Sequence, residues 1–208
     1  MRRDGRTLPW QRLPIVSTGL AGLLLALPVW SESGPAAGLP LEAQVQVCAA
    51  CHGEDGNSTR ENTPSLAGQP ALAITNQMIY FRERLRRSDE MTSQARGLSD
   101  AEIQALAAYY AEQPVATPEG ERDEALAEKG RALSRQQRCA SCHGSDYQGR
   151  EQMPRLAGQR EDYLAYAMKA YRERTRGGPD TTMIDIMRGV DNEAIEAMAH
   201  FFANLDRE

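Results

Sequence analysis

The chain has 208 residues, of which 24 are Lys or Arg and 29 are Asp or Glu, and its formal net charge is −5. This length is enough for one or two folded domains, and 41% of the residues are hydrophobic and available to form their cores. The acidic balance argues against a nucleic-acid-binding protein, which would need a basic surface.

Residues 1–31 have the composition of a secretory leader. Four arginines against one aspartate come first, and residues 15–27 form an uncharged apolar run. The pattern predicts a signal peptide cleaved near Ser31. The alternative is a retained anchor, because the uncharged stretch at 13–30 is just long enough to span a bilayer. Both readings place the folded part outside the cytoplasm.

The remaining chain is predicted to be helical. A short helix follows Pro40, and apolar residues at helical spacing predict further helices over residues 71–87, 99–112, 123–138 and 161–174. Ser99 and Glu102 form a capping box at the start of one of them. Because runs of period two are absent from the sequence, the fold class is all-α. Arginines near the ends of the middle helices are interpreted as solvated, or as a partner-steering or haem-propionate site: Arg82, Arg84, Arg86, Arg87, Arg172, Arg174 and Arg176.

Two pentapeptides Cys-x-x-Cys-His, at 48–52 and 139–143, use all four cysteines and two of the three histidines. This is the attachment signature of c-type haem. On one helical turn the two thiols and the imidazole lie on the same side, so a single turn supplies two thioethers and a proximal iron ligand. The sequence therefore predicts two covalently bound haem c groups, held by Cys48, Cys51, His52, Cys139, Cys142 and His143.

Two other interpretations of the Cys-x-x-Cys-His motif have less support in the sequence. A disulfide oxidoreductase would have a strand leading into Cys-x-x-Cys, and no such strand is predicted. A Cys2His2 zinc site needs a further nearby histidine, and His200 is the only one left. His200 is instead expected to be structural or solvent-facing.

The two motifs belong to an internal repeat. Residues 48–53, 64–69 and 81–84 recur as 139–144, 154–159 and 171–174. This spacing indicates a tandem duplication of one haem domain. We predict domains at residues 39–113 and 121–208, joined by a linker at 114–120 that is rich in Pro and Gly.

Two methionines are candidates for the second axial position. Met91 and Met183 follow their histidines by 39 and 40 residues and match in the repeat. A thioether suits low-spin iron and raises its reduction potential. Met187 is the rival in the second half, because it would share a face with Met183 if this segment were helical.

The sequence resembles the cytochrome c4 family of bacterial diheme cytochromes. The resemblance rests on Cys48-Ala-Ala-Cys-His-Gly-Glu-Asp-Gly-Asn-Ser, on Pro64-Ser-Leu-Ala-Gly-Gln and on Met91 ahead of Leu98-Ser-Asp, all of it doubled. It implies two all-α cytochrome c domains related by a pseudo-twofold. It also implies that the carbonyls of Pro64 and Pro154 accept a hydrogen bond from the proximal histidines. The glycine that this family places in the leading helix is missing from the first copy and is slightly displaced, at Gly130, in the second.

The function implied is single-electron transfer in the periplasm between redox proteins, from a cytochrome bc-type donor to a terminal oxidase. Such proteins are sometimes membrane-associated, and a retained anchor would attach this one to the outer face of the inner membrane. The sequence offers no nucleophile or acid/base pair, so an enzyme is not expected. The alternatives are a haem subunit of a membrane-bound dehydrogenase and, if Met183 does not bind iron, a small diheme peroxidase.

Overall fold

The structure, a computed structural model, describes residues 33–116 and 121–205. The predicted leader at 1–31 and linker residues 117–120 lie outside the described residues. Within the described part, the only β-type pairing is an isolated bridge between Arg150 and Met153. The all-α prediction is therefore confirmed. None of the described helices combines the length and apolar character needed to cross a membrane.

The first repeat folds around helix α4. Its helices are α1 (Leu41–His52), α2 (Ala71–Arg82), α3 (Asp89–Ala95) and α4 (Asp100–Ala111). Both α1 and α2 pack on α4, and α3 packs on α2. The core includes Ile103 and Tyr110 of α4, which are 0% and 1% exposed.

The second repeat has the same plan around its last helix. Its helices are α5 (Glu124–Gln136), α6 (Ala140–His143), α7 (Glu161–Arg172), α8 (Thr182–Ile186) and α9 (Asn192–Ala203). Helices α5 and α7 pack on α9, and α8 packs on α7. In the core, Ile195 and Phe202 hold the places that Ile103 and Tyr110 hold in the first repeat.

The middle helices end earlier than the periodicity predicts. Helix α2 ends at Arg82 rather than at residue 87, and α7 ends at Arg172 rather than at 174. Arg84 and Arg174 each adopt φ 58°, and this left-handed conformation stops a helix. Leu85 continues the apolar spacing of α2 past Arg84, so this pattern does not reveal the change in backbone conformation there.

The first domain begins before the predicted boundary at residue 39. Ala36 is 2% exposed and belongs to the core of this domain. The Gly34 N–H donates to the Arg96 carbonyl at 2.6 Å. The capping box at Ser99 and Glu102 is confirmed, and Glu102 also accepts a hydrogen bond from the Gly38 N–H at 2.7 Å. Residues 33–38 are thus part of the folded domain.

Candidate haem-binding sites

Helix α1 carries the first attachment motif through its last turn. Cys48 and Cys51 are partly buried, and His52 is buried at 6% exposure. Gly53 follows with φ 86°, which ends the helix directly after the histidine. One turn therefore holds two thiols and an imidazole together, as covalent attachment of haem requires.

The His52 imidazole is oriented by a backbone carbonyl. Its Nδ1 lies 2.8 Å from the oxygen of Pro64. Since a carbonyl can only accept, Nδ1 carries the proton and Nε2 keeps a lone pair for a metal ion. Burial lowers the pKa of His52, which favours the neutral ring that a metal ligand needs.

The second motif repeats this geometry on different secondary structure. Arg138, at φ 57°, separates α5 from the short helix α6, which carries Cys142 and His143 and has Cys139 at its N-cap. His143 is 6% exposed, and its Nδ1 lies 2.8 Å from the oxygen of Pro154. The same tautomer follows as in the first motif.

The thiols do not have the character of a disulfide oxidoreductase. Burial raises the pKa of Cys48, and it raises the pKa of Cys139 to about 11. Catalytic Cys-x-x-Cys sites instead lower the thiol pKa to obtain a reactive thiolate. Two thiols beside one imidazole with its lone pair on Nε2 fit a haem c group.

The candidate distal methionines lie on short helices. Met91 is partly buried on α3, where its N–H donates to the N-cap Ser88 Oγ at 3.2 Å. Met183 is partly buried on α8 and packs at the edge of the second core. Both segments are thus helical around the methionine.

Met187 lies one turn after Met183, and its N–H donates to the Met183 carbonyl at 3.0 Å. The two side chains therefore share a face, which is the condition under which Met187 would compete for iron. Met187 is 2% exposed and forms part of the second core, whereas Ala95, 0% exposed, holds the matching place in the first. This burial favours a packing role for Met187.

His200 joins three helices of the second domain. Its Nδ1 lies 2.9 Å from Glu161 Oε2, and its Nε2 accepts the Asp123 N–H at 3.0 Å. The residue is 6% exposed. Both ring nitrogens are therefore engaged within the fold, and the ring links α9 to α7 and to the residue that caps α5.

The two domains meet through a reciprocal pair of glutamines. Gln159 accepts the Ser65 N–H and donates to the Ser65 carbonyl, both at 2.8 Å. Gln69 accepts the Arg155 N–H and donates to the Arg155 carbonyl, both at 3.0 Å. Because Gln69 matches Gln159 in the repeat and Ser65 matches Arg155, the exchange has pseudo-twofold symmetry.

A second contact between the domains is asymmetric. Tyr163 on α7 accepts hydrogen bonds from Arg176 at 3.0 Å and from Arg86, in the first domain, at 3.4 Å. The two arginines match each other in the repeat, but Tyr163 matches Ala73. The reading of these two arginines as solvated is wrong, because they enclose the Tyr163 hydroxyl in the domain contact.

Arg82 and Arg172 are not simply solvated either. Arg82 donates to the Leu98 carbonyl at 2.8 Å, and Arg172 donates to the Val190 carbonyl at 3.0 Å. These hydrogen bonds tie each middle helix to the end of the segment that carries the candidate methionine. They have the same place in both repeats.

Comparisons with known proteins agree with this architecture. A family described as "Cytochrome c" matches residues 127–206, and one described as "Cytochrome C oxidase, cbb3-type, subunit III" matches residues 41–109. Cytochrome c4 from Thiocapsa roseopersicina is 36% identical over 172 residues, which cover 77% of this chain and 88% of that protein. A "Thiosulfate dehydrogenase electron acceptor" from Thiomonas intermedia is 30% identical, covering 94% of this chain and 92% of the relative. The crystal structure of reduced recombinant cytochrome c4 from Pseudomonas stutzeri aligns with a TM-score of 0.72 at 30% identity, covering 79% of this chain and 96% of that one.

Two helical cytochrome domains, each with an attachment turn, define a diheme c-type cytochrome with two covalent haem c groups. The chain belongs to the cytochrome c4 family, as the relatives and the matching fold show. It is an electron carrier of that family.

Sequence reasoning missed the residues that join the domains. The repeat does point to Gln69 and Gln159, because they end the matching segments 64–69 and 154–159, each of which begins with proline. It does not point to Tyr163, since the repeat has Ala73 in its place. The partner of such a residue is set by how the domains pack, which the spacing of motifs does not encode.

Proposed function

We propose that this protein carries single electrons in the periplasm, with each haem iron held between an imidazole and a thioether. The ligands are His52 with Met91 in the first domain and His143 with Met183 in the second. When bound, haem c supplies the ferric–ferrous couple. The protein contributes axial ligands, a low-dielectric surrounding and a docking face.

The observation that carries this proposal is the agreement between the two repeats. Each histidine donates from Nδ1 to a proline carbonyl at 2.8 Å, and each domain has a partly buried methionine on a short helix at the matching position. With an imidazole and a thioether both bound, the iron would have no open site for substrate, which favours an outer-sphere carrier over a peroxidase. A peroxide turnover assay separates the two: activity well above that of free haem would support the enzyme.

The electron donor and acceptor are proposed at the level of chemical class. We place the protein after a cytochrome bc-type complex or a dehydrogenase and before a terminal oxidase. The relatives named as thiosulfate dehydrogenase electron acceptors support a dehydrogenase as one donor. They also keep the second candidate open, that of a haem subunit bound to such an enzyme.

Stopped-flow mixing tests the relay. The reduced holoprotein is mixed with a purified terminal oxidase in the presence of oxygen, and the oxidised holoprotein with thiosulfate dehydrogenase and thiosulfate. Rapid oxidation by the oxidase supports the proposed direction, and an inert mixture overturns it. Stable co-purification with the dehydrogenase at a fixed ratio would favour the subunit role.

The leader remains a proposal as well. We propose that residues 1–31 are removed on export, that the mature chain has domains at 39–113, preceded by residues 33–38, and at 121–208, and that residues 114–120 link them. The intact mass of the periplasmic protein tests the cleavage. A full-length mass recovered with the membrane fraction would instead support a retained anchor.

A further inference from the structure

The contact between the domains reaches the peptide groups that orient the proximal histidines. In the peptide joining Pro154 to Arg155, the carbonyl accepts from His143 Nδ1 at 2.8 Å, and the N–H donates to Gln69 Oε1 at 3.0 Å. Gln69 belongs to the other domain and is 8% exposed. One amide group thus connects a glutamine of the first domain with the imidazole of the second.

The reverse connection is also present. The peptide joining Pro64 to Ser65 accepts from His52 Nδ1 at 2.8 Å and donates to Gln159 Oε1 at 2.8 Å. Gln159 is 5% exposed and lies in the second domain. Each imidazole is therefore linked to the opposite domain by two hydrogen bonds that share one amide.

Hydrogen bonds that share an amide polarise one another. When the N–H donates, the oxygen of the same amide becomes more negative and accepts more strongly. A stronger acceptor at Nδ1 makes the imidazole a better electron donor to a metal ion at Nε2. Electron donation stabilises the ferric state, so it lowers the reduction potential of the bound group.

We propose that Gln69 and Gln159 are positioning residues that set the reduction potential of the haem in the opposite domain. Gln69 acts on His143 through the amide between Pro154 and Arg155, and Gln159 acts on His52 through the amide between Pro64 and Ser65. The inference rests on the proposed function in one respect, namely that these histidines bind iron.

A purely structural role for the glutamines predicts a shift of the reduction potential in the opposite direction. If either glutamine only held the domains together, removing it would admit water to the haem surroundings. Water stabilises the more highly charged ferric state and lowers the potential. Loss of the hydrogen-bonded connection instead weakens the acceptor at Nδ1 and raises the potential. The direction of the shift therefore separates the two roles.

The experiment uses the full holoprotein with Gln69→Leu and Gln159→Leu, each serving as the matched control for the other. The potential of each haem is followed by redox titration, with the separate NMR signals of the two haems assigned to their domains. For Gln69→Leu we expect the reduction equilibrium constant of the second haem to rise at least threefold, about 28 mV at 59 mV per tenfold, with the first unchanged. Gln159→Leu should reverse this pattern. No shift, a lowered potential or an equal shift of both haems overturns the proposal.

Two further variants keep the test decisive. Gln113→Leu removes an amide that donates to the Tyr109 carbonyl within the first domain, and it should leave both potentials unchanged. If Gln69→Leu does not retain both haems, Gln69→Glu takes its place. A carboxylate is the stronger acceptor for the Arg155 N–H, so the second haem's potential should fall more than the first's. A rise, or an equal fall in both, overturns the proposal. The low-spin spectrum of the unaltered protein separately tests histidine ligation.

Discussion

Gly130 on α5 lies directly against the carbonyl oxygen of Ala197 on α9. A Cβ atom at Gly130 would overlap this oxygen and would also meet the Cβ of Phe201 at 2.7 Å. The helices can approach this closely only because residue 130 has no side chain. The glycine that is slightly displaced in the sequence is thus the one at the helix crossing. Its match in the first repeat, Leu39, lies before α1 and is 40% exposed.

We predict that Gly130→Ala destabilises the second domain by about 1–3 kcal/mol, because α5 and α9 must move apart. Guanidinium unfolding followed by haem absorbance and circular dichroism measures the change. Gly177→Ala is the matched control, since a Cβ atom there meets nothing within 4 Å. Equal stability of the two variants would contradict the assignment of the crossing.

The capping box of α4 supports a second stability prediction. Ser99 Oγ accepts the Glu102 N–H, and Glu102 accepts the Ser99 N–H at 2.7 Å. Ser99→Ala should lower the free energy of unfolding by about 1 kcal/mol, because an N-cap acceptor is lost. Ser93→Ala, at an exposed position on α3, should leave stability unchanged. Thermal melts of the two variants would refute the prediction if they coincided.

The position of Tyr163 predicts a dependence of stability on pH. Burial raises the pKa of Tyr163, but the guanidinium groups of Arg176 and Arg86 outweigh this effect and lower it to about 8. An unfolded tyrosine titrates near 10. Between pH 8 and 10 the unfolded chain therefore holds a proton that the folded protein has released. Stability should rise over this range, and the increment is lost as the pH falls through 8.

Because Tyr163 is partly exposed, we expect the free energy of unfolding to rise by about 1 kcal/mol, less than the full free-energy equivalent of the pKa shift. Free energies of unfolding at several pH values from 7 to 10.5, for the unaltered protein and for Tyr163→Phe, measure it. Tyr163→Phe should lack this increment. If the free energy of unfolding rose equally with pH in both proteins, the rise would come from groups other than Tyr163.

The choice between Met183 and Met187 can be tested directly. Met183→Ala should abolish the far-red band of thioether-ligated ferric haem in one domain and lower its potential. Met187→Ala should keep the band but cost about 2–5 kcal/mol of stability, because it empties a buried core position. Met91→Ala is the repeat-matched comparison and should act as Met183→Ala does. The prediction fails if Met187→Ala, and not Met183→Ala, removes the band.

The sequence predicted the parts of this molecule that depend on local spacing. The attachment turns, the helices and the capping box at Ser99 all follow from residues that are near each other in the chain. It did not predict that α2 ends at Arg82, because the backbone reversal at Arg84 leaves the apolar pattern unchanged. Nor did it predict the contacts of Gln69 with Arg155, since these join residues 86 positions apart. Such pairs depend on how two finished domains meet.

The proposed function requires that both irons be six-coordinate, each bound by one imidazole and one thioether. Electron paramagnetic resonance and near-infrared magnetic circular dichroism of the ferric holoprotein, with haem and protein quantified in the same sample, test this most directly. We predict two haems per chain, both low-spin with histidine–methionine ligation and both resistant to cyanide. A high-spin signal from either domain, ready cyanide binding or a single haem per chain would contradict it.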